Sequence, residues 1–418
     1  MSLELLMNTV QSSCKVEIQE EELLEMLDYI SNEDEFTEEH ILCRGVKDDI
    51  CKEFLRLLEE NEIIEVKIRY ECEKNGGEIE VAKSINQECK YCGTPLLGDL
   101  QHITREIYNV IVADLTEQIE KYYEKRLERF VDKPYIRHVK QLKGELKRII
   151  PFLGSGISIP LNLPNWTGLI EIFKEELDEA GDLRQFEEYL KQGDVFNALD
   201  LLKSVSVTFT DEEQIKTSIK EFIDKKFRSK LDGEYHNIYD ILNLNSDFYI
   251  TTNYDNALSI YKDSFTSLPF VLDDVKDMQD LFKEKRQRII HLHGNVDRKD
   301  TMVVTKTDYE RIYSDDKNKS ILNGVMASKS LLFIGFSFND KYINDIYNLL
   351  REYIGGTHYI ILPDVHRHYG QDLMRQGLKP ISVKVDSLDM ELTENEYNEA
   401  YTQKFVYSLK QIIKYLLR

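Results

Sequence analysis

Four apolar runs of strand length are spaced along this chain, and each one ends in small or polar residues. The runs begin at Ile149, Phe248, Ile289 and Leu331. Uninterrupted apolar runs are typical of strands that are buried on both faces of a parallel sheet. Such strands end at one edge of the sheet, where open α/β proteins bind their ligands. The pattern therefore predicts an α/β fold with a Rossmann-like parallel sheet.

The residues that follow the four runs carry the candidate chemistry of this crevice. In chain order they are Gly154-Ser155-Gly156-Ile157-Ser158, Thr251-Thr252-Asn253-Tyr254-Asp255, His291-Leu292-His293-Gly294 and Gly335-Phe336-Ser337. Glycine lets a backbone approach a ligand closely, and the N-terminus of a helix attracts a phosphate. The first segment therefore predicts a tight turn that leads into a helix and faces a phosphate group. We expect all four segments to converge at one sheet edge.

Helical periodicity fills the stretch between the first two runs, and it predicts an all-helical insertion at about residues 168–240 that covers the ligand. Beyond the fourth run, the pattern predicts a helix, two strands and a final helix: Asp340–Tyr353, His358–Leu362, Ile381–Val385 and Ala400–Leu417. The predicted sheet domain covers residues 148–390, and residues 391–418 hold the final helix.

The first hundred residues show a different pattern, in which three helical stretches precede two short strands. The strands are Ile63–Tyr70 and Gly77–Val81, and Asn75-Gly76-Gly77 between them is a hairpin signal. Three helices and a hairpin predict a small α+β winged-helix-like module at residues 1–100. The pattern of residues 101–147 predicts a helical connector.

A winged helix suggests DNA binding, but the charge of this region argues against it. Residues 1–140 contain 32 acidic and 18 basic side chains, and an acidic surface repels phosphate. We therefore interpret the module as a protein-interaction or oligomerisation unit, while nucleic-acid binding stays open.

Three cysteines of this module resemble part of a zinc ribbon. Cys89-Lys90-Tyr91-Cys92-Gly93 is a zinc-knuckle pattern, and Cys72 lies upstream, but Asn75 occupies the place of a fourth cysteine. Structural zinc takes four ligands, and His102, expected near a helix start, is the nearest candidate for the fourth. A degenerate ribbon without metal and a Cys3His zinc site both stay open. The other cysteines fall in helical patterns and predict core positions: Cys14, Cys43 and Cys51.

Length and composition narrow the class of protein. A chain of 418 residues predicts two to three domains, and a net charge of −22 disfavours broad attraction to DNA or anionic membranes. No apolar stretch approaches the ~20 residues of a membrane span, and Met1-Ser2-Leu3-Glu4 lacks the features of a signal peptide. The six cysteines do not form a disulfide-scaffold pattern. We expect a cytoplasmic protein.

The four motifs, in this order, resemble the SIR2 (sirtuin-like) family, in its bacterial SIR2-like branch, over roughly residues 140–390. In that family the first loop holds the diphosphate of NAD, and the turn that corresponds to Gly335 and Ser337 contacts its phosphate and ribose. The resemblance implies cofactor-binding roles for Gly154, Ser155, Gly156, Ser158, Asp255, Gly335 and Ser337. Ser155 and Phe336 depart from the family's usual residues.

The resemblance also implies two catalytic residues. Asn253 matches the asparagine that lies beside the nicotinamide ribose and positions a water, and His293 matches the catalytic histidine. An imidazole with a pKa near 6.5 suits proton exchange with a ribose hydroxyl at neutral pH. His291 shares a strand face with His293, and we interpret it as buried support. For Trp166, a place beside the nicotinamide and a place in the core both stay open.

Deacetylase sirtuins carry a four-cysteine zinc module after the His-Gly motif, but this chain has no cysteine after Cys92. The resemblance therefore implies hydrolysis of NAD+ to nicotinamide and ADP-ribose, without a metal, rather than protein deacetylation. It further implies a gated effector of bacterial antiphage defence. We expect a homo-oligomer that responds to a protein partner or a phage-derived trigger.

Two other classes of function stay open. The sheet could belong to a nucleotide sensor or assembly subunit without turnover, although such a protein needs neither Asn253 nor His293. The winged-helix-like pattern could instead belong to a nuclease-associated subunit of a defence complex. Protein deacetylation is the weakest alternative.

Overall fold

The chain forms two compact units, Met1–Arg126 and Leu127–Arg418, here called the N-terminal and C-terminal units. The computed structural model describes residues 3–13, 18–97, 102–261, 270–275, 287–326, 329–336, 347–348, 351, 356–385 and 393–418. Among these residues, none of the helices combines the length and the apolar character that a membrane span requires.

The N-terminal unit places helices before and after a small sheet. In chain order its elements are α1 (Leu3–Ser13), α2 (Glu20–Ser31), α3 (Glu38–Leu42), α4 (Asp48–Glu60), β1 (Ile64–Cys72), β2 (Ile79–Ala82), β3 (His102–Val110) and α5 (Leu115–Arg126). The apolar faces of the helices and one end of the sheet share a core that includes Leu27, Phe54, Leu58 and Tyr108. The burial of this apolar surface stabilises the unit.

The sheet of this unit has the order β2-β1-β3, and both pairings are antiparallel. The predicted hairpin is confirmed, because β1 and β2 pair across a turn in which Gly76 and Gly77 have positive φ angles. The helix predicted from residue 101 is wrong at its start, since residues His102–Val110 form β3 and α5 begins only at Leu115. Most side chains near the start of β3 are exposed, so pairing with β1, rather than a hydrophobic period, decides its conformation.

The C-terminal unit is built on a seven-stranded sheet with the order β10-β9-β8-β4-β5-β7-β6. The strands are β4 (Ile149–Leu153), β5 (Phe248–Thr251), β6 (Phe270–Val271), β7 (Arg288–His291), β8 (Ser330–Ile334), β9 (His358–Pro363) and β10 (Leu378–Val383). Every strand pair is parallel. The predicted Rossmann-like parallel sheet is therefore confirmed.

Helices account for the regular structure between β4 and β5. After α6 (Ile136–Glu145), which precedes the sheet, they are α7 (Trp166–Glu171), α8 (Ala180–Lys191), α9 (Val195–Val205), α10 (Glu212–Lys226) and α11 (Ile238–Asn243). Their apolar faces form a core of their own around Phe173, Phe186, Leu199 and Ile219. This helical segment also packs against Tyr254, which follows β5.

The remaining helices follow the sheet strands: α12 (Ala257–Ile260), α13 (Lys306–Ser314), α14 (Asp316–Met326), α15 (Arg367–Arg375) and α16 (Glu394–Leu417). The final helix begins earlier than the predicted Ala400, because Thr393 and Glu396 form a capping box that starts it. Most of the helix predicted at 340–353 lies outside the described residues.

Candidate functional site

A cavity of about 500 Å³ opens at the carboxyl edge of the parallel sheet. Seven of the predicted residues either line it or lie directly behind its wall: Gly154, Ser155, Gly156, Ser158, Asn253, His293 and Gly335. Asp255 also contributes to the wall, whereas Ser337 lies outside the described residues. The volume lies within the range that small-molecule sites commonly have. The tertiary structure thus brings the four sequence motifs together.

The glycine loop after β4 and the turn after β8 pack directly against each other. A Cβ atom on Gly154 would lie 2.6 Å from the carbonyl oxygen of Gly335, and one on Gly156 would lie 2.8 Å from the Gly335 Cα. Gly335 itself has a φ of +76°, a conformation that residues with a Cβ rarely adopt. These three glycines are therefore required by the contact between the two loops.

The same contact changes how the loop could hold a ligand. The amide of Gly154 donates to the Ile334 oxygen, and the amide of Gly156 donates to the Gly335 oxygen, both at 2.9 Å. The expected α-helix after the loop is instead a short 3-10 segment, Ser155–Leu161. The two glycine amides thus hold β8, and the side chains of Ser155 and Ser158 are the polar groups that the loop adds to the site.

A chain of hydrogen bonds orients the side chain of Asn253. Its Nδ2 donates to the Gly154 oxygen at 3.1 Å and to the Ser158 Oγ at 3.0 Å. The Ser158 hydroxyl in turn donates to the Asp255 Oδ2 at 2.8 Å. Burial raises the pKa of Asp255, while bonds from the Ala257 amide and the Ser158 hydroxyl limit this rise. Asp255 therefore orients Asn253 through Ser158.

This orientation leaves one polar atom of the asparagine available. The Asn253 Oδ1 is buried and accepts no hydrogen bond from the described part of the chain. A buried acceptor without a partner costs free energy unless a water or a ligand supplies a donor. Asn253 is therefore prepared to accept a hydrogen bond from a group inside the cavity.

His293 lines the cavity beside two tyrosines of α13. Its Nε2 lies 2.8 Å from the hydroxyl of Tyr313, and its ring meets that of Tyr309 edge to face at 6.3 Å between centroids. Burial lowers the pKa of His293 to about 4 and raises that of Tyr313 well above its usual value. At neutral pH the imidazole is therefore uncharged and able to accept a proton.

His291 has a different environment from that of His293. It is 1% exposed, and its Nδ1 lies 3.2 Å from the backbone oxygen of Asn253 and 3.5 Å from the Nδ2 of Asn295. Burial lowers its pKa to about 4 as well. This geometry places His291 beneath the Asn253 backbone, as expected for a supporting residue.

Trp166 lies both at the cavity and against a hydrophobic core, the two positions that the sequence left open. Its ring contacts Tyr254 at 5.7 Å between centroids, it lines the cavity, and it also packs on the core of the helical segment. The Tyr254 hydroxyl donates to the Val303 oxygen at 2.6 Å. This bond fixes the tyrosine that supports one side of the cavity.

Sequence reasoning missed several residues of the wall. Tyr309 of α13 and Tyr401 and Phe405 of α16 line the cavity, and Tyr313 of α13 contacts the lining residue His293. The spacing of Tyr309 and Tyr313 places both on one helix face, which was the signal available for these two. Tyr401 and Phe405 have the same four-residue spacing, but only the fold brings this distant helix to the cavity.

The cavity combines an open amide acceptor, a neutral imidazole and small loop residues in a largely apolar wall. Such a site can hold a polar ligand, position a water and accept a proton. Within the described residues, the side chains that cluster with metal-binding geometry belong to the N-terminal unit: Cys72, Cys89, Cys92 and His102.

Comparison with known proteins places this site in a family context. Residues 247–381 match the family model of the SIR2-like domain. The chain is 29% identical over 231 residues to the NAD(+) hydrolase ThsA of Cytobacillus dafuensis, a match that covers 54% of this chain and 43% of that protein. The corresponding values for the NAD(+) hydrolase ThsA of Bacillus cereus are 28% over 204 residues, 48% and 39%.

A third relative carries a name that points to defence. The chain is 24% identical over 249 residues to the Defense-associated sirtuin 2 of Bacillus subtilis, a match that covers 56% of this chain and 22% of that protein. In all three comparisons the chain spans less than half the length of the relative that it matches.

Proposed function

The chain carries a SIR2-like domain, and we propose that it hydrolyses NAD+ to nicotinamide and ADP-ribose. The observation that carries the proposal is the position of Asn253, His293 and the glycine loop around one cavity. The names of the ThsA relatives support the same reaction. In this cavity the open Asn253 Oδ1 lies in the same wall as the neutral imidazole of His293.

The reaction breaks the bond between C1′ of the ribose and the ring nitrogen of nicotinamide. The bonding electrons leave with the nicotinamide, which becomes neutral, and positive charge develops on the ribose ring. A water then forms the new bond to C1′, and its proton passes to a ribose hydroxyl, which gives its own proton to His293. In the proposal, the open Asn253 Oδ1 accepts a hydrogen bond from this water and so orients it.

His293 is the proposed base. Its low pKa keeps the ring neutral at physiological pH, and a neutral imidazole can take a proton from a ribose hydroxyl. Because a tyrosine hydroxyl both donates and accepts, Tyr313 can accept from a protonated Nε2. The Nδ1 of His293 would then face the cavity as the acceptor.

The remaining wall would bind the rest of the dinucleotide. Ser155 offers a hydroxyl group near the loop, and Ser158, whose hydroxyl donates to Asp255, offers only a further acceptor position. Trp166 with Tyr254 offers aromatic surface to the nicotinamide side. Ser337 stays part of the proposed nucleotide contacts. Binding energy from these parts would orient the ribose for the reaction at C1′.

The proposed role in the cell is defence against phage in the cytoplasm, through depletion of NAD+. Unregulated depletion would harm the host cell, so the proposal includes a gate that a phage-derived trigger or a protein partner opens, with a homo-oligomer as the assembled form. The name of the Bacillus subtilis relative supports a defence role.

The decisive experiment incubates purified protein with NAD+ and separates nicotinamide and ADP-ribose by chromatography. We expect both products from the parent protein, and a loss of at least about 100-fold in rate in Asn253→Ala and in His293→Ala. His368→Ala serves as the matched control, because this histidine is exposed on α15.

Two results would contradict the assignment. If either site variant keeps the parental rate, that residue has no catalytic role. If the parent binds NAD+ tightly by calorimetry but leaves it intact, even with lysate from phage-infected cells, the nucleotide sensor is the correct function.

A further inference from the structure

Three thiols and an imidazole of the N-terminal unit meet at one point. The Sγ atoms of Cys72, Cys89 and Cys92 and a ring nitrogen of His102 all lie within 4.8 Å of one another. Three of these side chains are buried, and Cys92 is partly exposed. Among the residues that the structure describes, no second group of metal-ligating side chains comes together in this way.

The separations are close to those of a tetrahedral metal site. Zinc bonds of about 2.0–2.3 Å require ligand atoms that lie about 3.3–3.8 Å apart. The Sγ of Cys92 lies 3.2 Å from the Nε2 of His102, and the other pairs lie within the 4.8 Å limit. The four atoms therefore lie close enough together to surround one metal ion.

Backbone structure brings these ligands together from distant parts of the unit. Cys72 ends β1 and His102 begins β3, and the two residues are direct partners in the antiparallel pairing. His102 therefore lies at a strand start, rather than near the helix start that the sequence suggested. This pairing turns an incomplete sequence motif into a complete set of four ligands.

The turn that carries the other two ligands has the geometry of a zinc knuckle. The Tyr91 amide donates to the Cys89 Sγ at 3.5 Å, a contact that favours a thiolate, and the Gly93 amide donates to the Cys89 oxygen at 2.9 Å. Gly93 has a φ of +73°, which glycine adopts without strain. Lys90 anchors the turn to β2 through an ion pair with Glu80 at 2.7 Å.

Hydrophobic packing alone does not explain why three cysteines and a histidine lie together here. The local core is small, and besides the cysteines it contains only Ile68, Tyr70, Ala82 and Leu96 as buried members. A cysteine can fill a core position as a small apolar side chain, but a buried imidazole beside three thiols contributes little apolar surface. Small domains with limited cores are commonly stabilised by a structural metal.

We propose that Cys72, Cys89, Cys92 and His102 bind one structural zinc ion. Four protein ligands leave no open coordination position, which is the arrangement of structural rather than catalytic zinc. The ion links the end of β1, the start of β3 and the knuckle turn. Its binding free energy contributes to the folding of this part of the unit.

Metal analysis of the full chain, purified without chelator under reducing conditions, tests the site. We expect about one zinc ion per chain, and at least about tenfold weaker zinc binding in Cys92→Ser. Cys43→Ser is the matched control, since Cys43 is an exposed free cysteine outside the cluster. The core position predicted for Cys43 is therefore wrong. Circular dichroism shows whether each variant is folded.

Cobalt substitution and a ligand exchange complete the test. Cobalt(II) in the parent should show the intense visible bands of a tetrahedral site and sulfur-to-metal charge transfer. His102→Ala should bind cobalt more weakly and show shifted visible bands, because water must replace the imidazole. His102→Cys should keep the intensity of a tetrahedral site, because a fourth thiolate replaces the imidazole. A parent protein that takes up neither zinc nor cobalt after reduction, or equal metal loss in Cys43→Ser and Cys92→Ser, would overturn the proposal.

Discussion

Hydrogen bonds of the Asn253 side chain determine which of its polar atoms a ligand can reach. The side chain of Asn253 contributes an acceptor only because its Nδ2 is already held by Gly154 and Ser158. Asp255 fixes the direction of that arrangement through the Ser158 hydroxyl. A buried hydrogen-bonded chain of this kind prepares the site before a ligand arrives, which lowers the cost of ordering it later.

The pH dependence of turnover should reveal the buried state of His293. We expect a level rate between about pH 8 and pH 5 and a fall centred near pH 4, because only protonation removes the base and burial lowers the pKa of His293 to about 4. The measurement is kcat/KM against pH, because this ratio reports the titrating groups of the free enzyme. A fall centred near the ordinary histidine value of about 6.5 would contradict a buried base.

Protein stability must be followed over the same range. The folded pKa of His291 is also about 4, below the unfolded value of about 6.5. The unfolded chain therefore binds protons first, and the stability present above about pH 6.5 is lost progressively as the pH falls to 4. Circular dichroism at each pH separates this loss from the protonation of His293.

Replacement of Tyr313 by phenylalanine tests the orientation of His293. The variant removes the hydroxyl that lies 2.8 Å from Nε2 and keeps the ring that packs on Tyr309. We expect kcat to fall about 10-fold or more with a smaller change in KM, because the tautomer and the ring direction are less well defined. An unchanged kcat would show that this hydrogen bond has no role in turnover.

Contacts between elements hold α13 in place. Lys216 of α10 lies 2.8 Å from Asp308 at the start of α13, and the two side chains are only 8% and 10% exposed. Burial alone would raise the pKa of Asp308, but bonds from Lys216 and from the Val304 and Thr305 amides outweigh this effect and lower it. The helical segment thus supports the helix that carries Tyr309 and Tyr313.

Loss of this buried ion pair should be costly. We expect Lys216→Met to lower the free energy of unfolding by about 3 kcal/mol, because the buried carboxylate of Asp308 loses its nearer cation and keeps Arg311 at 3.6 Å. The control is Lys220→Met on the same helix, where the pair with Asp224 is more exposed and the expected loss is below about 1 kcal/mol. Urea unfolding measures both, and equal losses would contradict a special role of the buried pair.

The stability lost in Lys216→Met should depend on pH. Because the folded pKa of Asp308 is lowered, its ion pair contributes stability above the unfolded value of 3.8 and loses it as the pH falls further. The difference in the free energy of unfolding between the parent and Lys216→Met should therefore become smaller below pH 3.8.

The contact between the loops after β4 and β8 can be tested by substituting Gly335. In Gly335→Ala the new Cβ would lie 2.7 Å from the Ile157 amide nitrogen, at a φ of +76°. We expect a loss of about 1–3 kcal/mol in stability together with weaker NAD+ binding. Gly144→Ala in α6 has open space and should be neutral or stabilising by up to about 1 kcal/mol.

Thermal unfolding and calorimetric titration with NAD+ check this pair of variants. A Gly335→Ala protein with the parental melting temperature would show that the two loops can separate without cost. A loss of stability in Gly144→Ala equal to that in Gly335→Ala would show that the glycine contact is not specific.

The β1–β2 hairpin and the parallel strands carried a local sequence signal and were predicted correctly, whereas β3, which depends on a distant partner, was not. The β1–β2 hairpin followed from two short strands and a glycine turn, and the long apolar runs identified the parallel strands. Residues His102–Val110 became a strand because β1 offers hydrogen-bond partners along their whole length. No period within that stretch marks this pairing.

The molecule as a whole separates its candidate chemistry between its two units. Every residue of the cavity wall belongs to the C-terminal unit, Leu127–Arg418, and the cysteine–histidine cluster belongs to the N-terminal unit, Met1–Arg126. Each unit has its own buried core. This division permits a test on the C-terminal unit by itself.

We expect a fragment of residues 127–418 to fold and to bind NAD+ with an affinity within about tenfold of the parent, because the parent cavity is complete within it. Circular dichroism establishes folding, and calorimetry measures binding. A folded fragment that fails to bind NAD+ would show that the N-terminal unit is needed for the site.

The sequence alone determined the parallel sheet, the four motifs at its edge and the resemblance to SIR2-like proteins, which the match over residues 247–381 confirms. These features are local, because apolar runs and glycine turns follow from short-range burial and backbone freedom. Only the tertiary structure decided that α13 and α16 complete the cavity, that the glycine amides hold β8 and that His102 joins three cysteines. Those contacts join residues far apart in the chain, and their geometry depends on how the elements pack rather than on any local pattern.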